Sequence, residues 1–228
     1  MKLGKEFLSF CLAGVVMLGI VLGFPTKAHA QQASFTNILV AIDAQEILED
    51  YCRPTVNGGV IEWVDCKGTQ ARPQMVNTDF IHMLVKQDRA VSSQGGAELT
   101  ISAAPSDVIR WSSTSFSNNS AYTVPLYKFR KIGGASDLLN NPQHLVTENC
   151  SAIPKSEGRQ DIPACGRTGD VTYGGIEFRR QRQDGDFWQA TVLATGRQTY
   201  TFDFTVLDQK GGSHGFYRWD PYIIISYR

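Results

Sequence analysis

The sequence is short of the residues and patterns that usually announce chemistry. Its 228 residues hold only 4 histidines and 5 cysteines. No His-Glu-x-x-His pair, phosphate-binding P-loop or dinucleotide glycine fingerprint occurs in it. An excess of charge of one sign is missing too, because Lys plus Arg and Asp plus Glu both number 22. That balance removes the global attraction that draws basic chains to nucleic acid or to anionic lipid. Beyond residue 24 no apolar run approaches the roughly 18 residues of a membrane-spanning helix. Fixed repeats, heptad seams and low-complexity tracts are also lacking. The absences weigh against the common enzyme classes, nucleic-acid binding and membrane insertion, while 42% hydrophobic residues suffice for an ordinary globular core.

What is present first is an address. Lys2 and Lys5 precede an apolar run over Phe7–Phe24, and Ala28-His29-Ala30 supplies a small-x-small site. This pattern predicts a secretory signal peptide over residues 1–30, cleaved before Gln31, with an uncleaved anchor as the alternative. Cleavage removes three lysines and one glutamate, leaving 19 positive and 21 negative side chains. The remaining cysteines, Cys52, Cys66, Cys150 and Cys165, are even in number in a chain bound for an oxidising compartment, so they predict disulfides. Three pairings are open. The local pairs Cys52–Cys66 and Cys150–Cys165 would each close a loop of about 15 residues, a staple of about 3 kcal/mol in the chain-entropy account. Close Cys-x-x-Cys pairs suited to zinc do not occur.

Period-two alternation runs through residues 31–228. In Thr199–Val206, Tyr200, Phe202, Phe204 and Val206 face one way and Thr199, Thr201, Asp203 and Thr205 the other. Ala97–Ala103 and Trp188–Ala194 alternate likewise, and further strands are predicted at Ile38–Ile42, Val60–Val64, Phe80–Val85, Val108–Ser112, Thr123–Lys131, Ile176–Arg182 and Tyr222–Tyr227. Asp43–Tyr51 carries the one helical signal. About ten short strands predict an all-β fold, a single-domain antiparallel β-sandwich of jelly-roll type with at most one short helix. Gly133–Tyr173 reads as a disulfide-stapled excursion from it.

Candidate functional residues follow from side-chain chemistry. Trp219, Tyr217, Asp220 and His214 surround a Gly-rich loop near the C-terminus and are the candidate ligand-binding set, with tryptophan as a platform for a sugar ring. Gly211-Gly212-Ser213-His214-Gly215 joins a serine to a histidine, but neighbours in such a loop do not make a nucleophile and its base, so it is read as a hairpin loop. His82 is read as a strand histidine. Calcium has candidate oxygen ligands at Asp184-Gly185-Asp186 and at Asp203 with Asp208; neither has the spacing of an EF-hand. Lys128, Arg130 and Lys131, and Arg179, Arg180 and Arg182, read as solvated sheet faces. No catalytic residue is assigned; were the protein an enzyme, Asp43, Asp186, Asp220 and His214 would be the first to test.

Four stretches, in order, resemble a known family: Asn37-Ile38-Leu39-Val40-Ala41-Ile42-Asp43 followed by Glu46-Ile47-Leu48, then Asp107-Val108-Ile109-Arg110-Trp111, then Asp186-Phe187-Trp188-Gln189-Ala190, and finally Gly215-Phe216-Tyr217-Arg218-Trp219-Asp220-Pro221-Tyr222-Ile223. Together they are similar to the AidA/PixA inclusion body proteins. The resemblance implies a bacterial β-sandwich associated with stationary-phase inclusions, quorum-regulated expression and host interaction, and it brings no catalytic residue with it. The leader, the two cysteine pairs and the excursion depart from the pattern of relatives that accumulate inside the cell, and point to a periplasmic or extracellular protein. The expected function is non-catalytic binding, lectin-like in its sharper form, of glycans or a host protein, with a self-associating storage or structural role as the alternative.

Overall fold

The computed structural model describes residues 34–133, 137–154 and 171–227. The predicted signal segment and Cys165 lie outside them. The elements in chain order are β1 (Phe35–Ile42), α1 (Ala44–Tyr51), β2 (Arg53–Asn57), β3 (Val60–Val64), β4 (Gln74–Met75), β5 (Ile81–Val85), β6 (Ala90–Ser92), β7 (Leu99–Ser102) and β8 (Val108–Ser115). They continue with β9 (Tyr122–Thr123), β10 (Leu126–Gly133), β11 (Gln143–Pro154), β12 (Val171–Tyr173), β13 (Ile176–Thr191), β14 (Gly196–Asp208), β15 (Ser213–Trp219) and β16 (Tyr222–Ser226). Among the described residues the fold is thus mostly β, with one short α-helix. Asp43 caps that helix, its carboxylate accepting from the Glu46 N–H at 3.2 Å, and Ile47 and Leu48 sit on the buried face.

Two large sheets share one hydrophobic core. The first runs β11-β13-β8-β1-β5, with β12 also on β13. The second runs β4-β15-β14-β16-β7-β6, with β9 and β10 on the far edge of β14. Trp111 of β8 joins the layers, its ring lying 5.4 Å from Phe129, 5.9 Å from Tyr200 and 6.0 Å from Phe202 of the opposite sheet. A separate hairpin, β2–β3, stands on the body.

Three features depart from the sequence-based expectation. The sheets are mixed: β1 runs parallel to β8, β16 to β7 and β15 to β4. Alternation reports which face a residue occupies and is blind to strand direction. The excursion over Gly133–Tyr173 contains regular structure, because β11 pairs with β13 from Gln143↔Gln189 to Pro154↔Phe178. Its predominantly exposed residues supply little of the hydrophobic contrast from which strands are read. Finally, the face of β14 expected to be wet is covered: Thr201, Asp203 and Thr205 are buried, and Arg130 and Arg218 both reach Asp203.

β15 and β16 keep one register along β14. Trp219 pairs with Phe202 and Tyr222 with Thr199, while the Tyr200 N–H donates to the Pro221 carbonyl at 3.0 Å across the break. The two strands therefore act as one long arm of a hairpin whose tip lies at Gly211-Gly212.

Candidate functional site

The residues chosen from sequence as ligand-binding separate in the structure. Trp219 and Tyr217 are both fully buried, each with 0% of its surface exposed. The Trp219 ring stacks on Phe202 at 5.0 Å, and the Tyr217 hydroxyl donates to the His214 carbonyl at 2.8 Å. Neither can offer a face to a ligand. The Gly-rich turn next to Trp219 in sequence suggested exposure, but strand alternation sends both residues into the core. Asp220 lies exposed in the break between β15 and β16. Of the four, His214 lines an open recess.

That recess, about 370 Å³, is bounded by the β2–β3 hairpin, β9 and the turn after β14, and is lined by Ile61, Trp63, Tyr122, Asp208, Lys210 and His214 among others. The hairpin is specified by its turn: Gly58 and Gly59 both have positive φ, +57° and +81°, as a two-residue primed turn requires. Its base is fastened by the Cys52–Cys66 disulfide, as expected from the spacing. Cys52 Sγ lies 3.5 Å from the Tyr217 hydroxyl, so the staple joins the hairpin to β15. The Trp63 indole N–H donates to the Tyr122 hydroxyl at 3.0 Å, and the Tyr122 ring meets the His214 ring edge-on at 6.2 Å. One His214 nitrogen faces the Trp63 carbonyl at 3.3 Å and the other the Asp208 carboxylate at 3.2 Å. Asp208 Oδ1 also accepts from the Lys210 and Gly212 N–H groups, both at 2.8 Å. The Gly212 N–H, aided by Lys210 and His214, holds the Asp208 carboxyl below the usual carboxylate range against the opposing effect of desolvation. Val60 and Ile61 on the rim are 63% and 60% exposed.

The arrangement combines half-buried aromatic rings, an apolar rim and a fixed carboxylate, the ingredients of a shallow polar-ligand site. Trp63, Tyr122 and Asp208 were not assigned to such a site from sequence. The available signal was Trp63 on a predicted strand inside a cysteine-closed loop with Gly58-Gly59 at its tip, which marks a rigid exposed hairpin.

The remaining candidates are engaged elsewhere. Asp43 caps α1, and Asp186 faces His144 at 3.1 Å. Asp203 is held by two guanidinium groups and Asp208 by its own turn, so neither is presented as part of a calcium site. The side chain of Asp184 lies outside the described residues, and among those described no group of three His, Cys, Asp or Glu could hold a metal ion. Residues 211–215 spell Gly-x-Ser-x-Gly, yet they lie on a β-hairpin rather than the strand-to-helix turn of a nucleophile elbow, and the Ser213 hydroxyl meets that of Thr205 at 2.9 Å. His82 is a strand histidine whose ring meets the Gly95 carbonyl at 2.8 Å and stacks on Phe116. Basic residues pair with acids: Arg130 with Asp203, Lys131 with Asp137, Arg182 with Glu148. Cys150 is disulfide-bonded, and its expected partner Cys165 lies outside the described residues.

Comparison with known proteins agrees with the layout of strands. A family model described as PixA, inclusion body protein, matches residues 34–225. Among solved structures, the crystal structure of an inclusion body protein (PixA) from Burkholderia cenocepacia J2315 matches with a TM-score of 0.60 at 15% identity, over 87% of this chain and 99% of that one. At that identity the likeness bears on fold alone. A search of curated proteins gave no match.

Proposed function

Starting from the premise that the chain belongs to the PixA inclusion body protein family, we propose that it is a secreted, non-catalytic binding protein whose stapled hairpin presents a carbohydrate-recognising recess. The observation that carries this reading is the convergence of Trp63, Tyr122, His214 and Asp208 around one open volume. A pyranose offers an apolar C–H face to an aromatic ring and hydroxyls to a carboxylate, and the recess holds both kinds of partner, with His214 fixing the carboxylate. The Cys52–Cys66 bond supports placement outside a reducing cytoplasm. The test is a broad glycan array probed with the oxidised mature chain, once with calcium and once with chelator. Binding retained in chelator and abolished by Trp63→Ala is the expected result. Calcium-dependent binding would replace the aromatic site with an oxygen-ligand site, and silence on both arrays would overturn the reading.

A second reading, self-association into a storage or structural assembly, is favoured by β11. Among the described residues this strand of 12 pairs only with β13, and its Val146 is 67% exposed. An unpaired strand edge is a template for a further strand.

A further inference from the structure

Three of the four family-like stretches meet at a place that the recess does not include. Asn37 of β1, Arg110 of β8 and Gln189 of β13 lie side by side in register, Asn37↔Arg110 and Gln189↔Arg110, on the outer face of the first sheet. The Arg110 guanidinium lies over two rings, 4.2 Å from the centroid of Phe35 and 4.7 Å from that of Phe187. Its Nε donates to the Gln189 side chain at 2.8 Å, which fixes the plane of the fork. Its two Nη groups have no hydrogen bond or ion pair among the described residues. Arg110 borders a cleft of about 410 Å³ lined also by Asn37, Ser112, Thr147 and Asn149. Gly185 makes room there: a Cβ at that position would lie 2.9 Å from Asn149 Nδ2. Asp186 borders the cleft as well, but strand alternation sends its carboxylate to the other face, where it meets His144.

We propose that this cleft binds an acidic sugar, the Arg110 fork taking its carboxylate and the surrounding amides and hydroxyls its hydroxyl groups. A guanidinium packed against two rings, with one edge held by Gln189, keeps its remaining N–H donors in one plane. That is the geometry a carboxylate accepts in bidentate fashion. The cleft volume falls within the range of small-ligand pockets, about 300–1,000 Å³. The four neutral polar neighbours suit a polyhydroxylated ring better than an apolar one.

The test uses the whole oxidised chain and nuclear magnetic resonance titrations with methyl glucuronoside, methyl glucoside and acetyl-diglycine. The glucuronoside is expected to move the Arg110 Nε–H signal and the amides of Asn37, Asn149 and Gly185, and the glucoside, which lacks the carboxylate, to leave them in place. Arg110→Lys keeps the charge and loses the fork, and is expected to weaken glucuronoside binding at least tenfold. Should that variant fail to fold, Gly185→Ala crowds the cleft from its rim and is expected to weaken binding in the same way. Equal shifts from the glucoside, an unmoved Arg110 signal, or undiminished binding by the variants would overturn the proposal. An equal response to acetyl-diglycine would overturn the sugar as the carrier of the carboxylate. The Trp63 indole signal reports on the recess separately, so failure at one site is distinguishable from failure at the other.

Discussion

Asp203 is 1% exposed and is gripped from both sides, Arg130 Nη2 at 3.1 Å from one oxygen and Arg218 Nε at 2.5 Å from the other. Burial pushes its carboxyl up in pKa, while the charges of Arg130 and Lys128 act the other way. Replacing it with asparagine leaves two partly buried guanidinium groups without their counter-charge, so Asp203→Asn is expected to cost about 3–5 kcal/mol in urea unfolding. A loss below about 1 kcal/mol would mean that solvent already screens the cluster. Asp208 behaves differently because its partners are mostly backbone N–H groups. Its folded-state pKa is depressed, so its contribution is present above the unfolded value of about 3.9 and is lost as pH falls through the lower folded value. Thermal melts of the native chain and of Asp208→Asn should therefore converge as pH is lowered from about 5 toward 2. The two tryptophans separate stability from binding. Trp219→Ala empties a core site and is expected to cost about 3–5 kcal/mol, whereas Trp63→Ala is expected to abolish glycan binding with a smaller loss in the same unfolding assay.

At the scale of elements, the staple and the hairpin form one device. The Cys52–Cys66 bond closes a loop of 14-residue separation between the end of α1 and the end of β3. Replacing both cysteines with serine is expected to lower stability by about 3 kcal/mol, and to weaken glycan binding beyond that effect because Trp63 loses its fixed approach to Tyr122. Measuring binding well below the melting temperature separates the two. The strand at Val60–Val64 was legible to the residue, and Asp43 as the helix cap was legible from its side chain. The segment Ile176–Arg182 and the first part of Trp188–Ala194 belong to one strand, which ends at Thr191, because Asp184-Gly185, which reads as a turn, is carried through by pairing with Glu148 and Thr147. The long partner Gln143–Pro154 was not legible because predominantly exposed strands supply little hydrophobic contrast.

For the whole molecule, alternation conveyed that the chain is mostly β, but it could not convey which strands run parallel or which aromatic lies under another sheet. The site suffered most from that gap. Trp219 and Trp63 both sit near glycines in sequence, and only the stacking of two sheets decides that Trp219 is covered while Trp63 remains at a rim. If the edge of β11 that pairs with nothing among the described residues governs assembly, light scattering by the oxidised chain should rise with concentration, and Val146→Lys should suppress the rise by placing charge on that arm. A mass that stays monomeric throughout would remove the second reading.

The register that β15 and β16 share along β14 governs when the molecule can close. Until residues 213–226 have been made, β14 lacks its partner on that side and β7 lacks its parallel neighbour. Tyr200, Phe202, Phe204, Tyr217, Trp219 and Ile223 thus reach the core late in synthesis, so the earlier strands emerge with no finished layer to pack against. A chain built in this order stays open through most of its production, and one continuous arm completes its second layer.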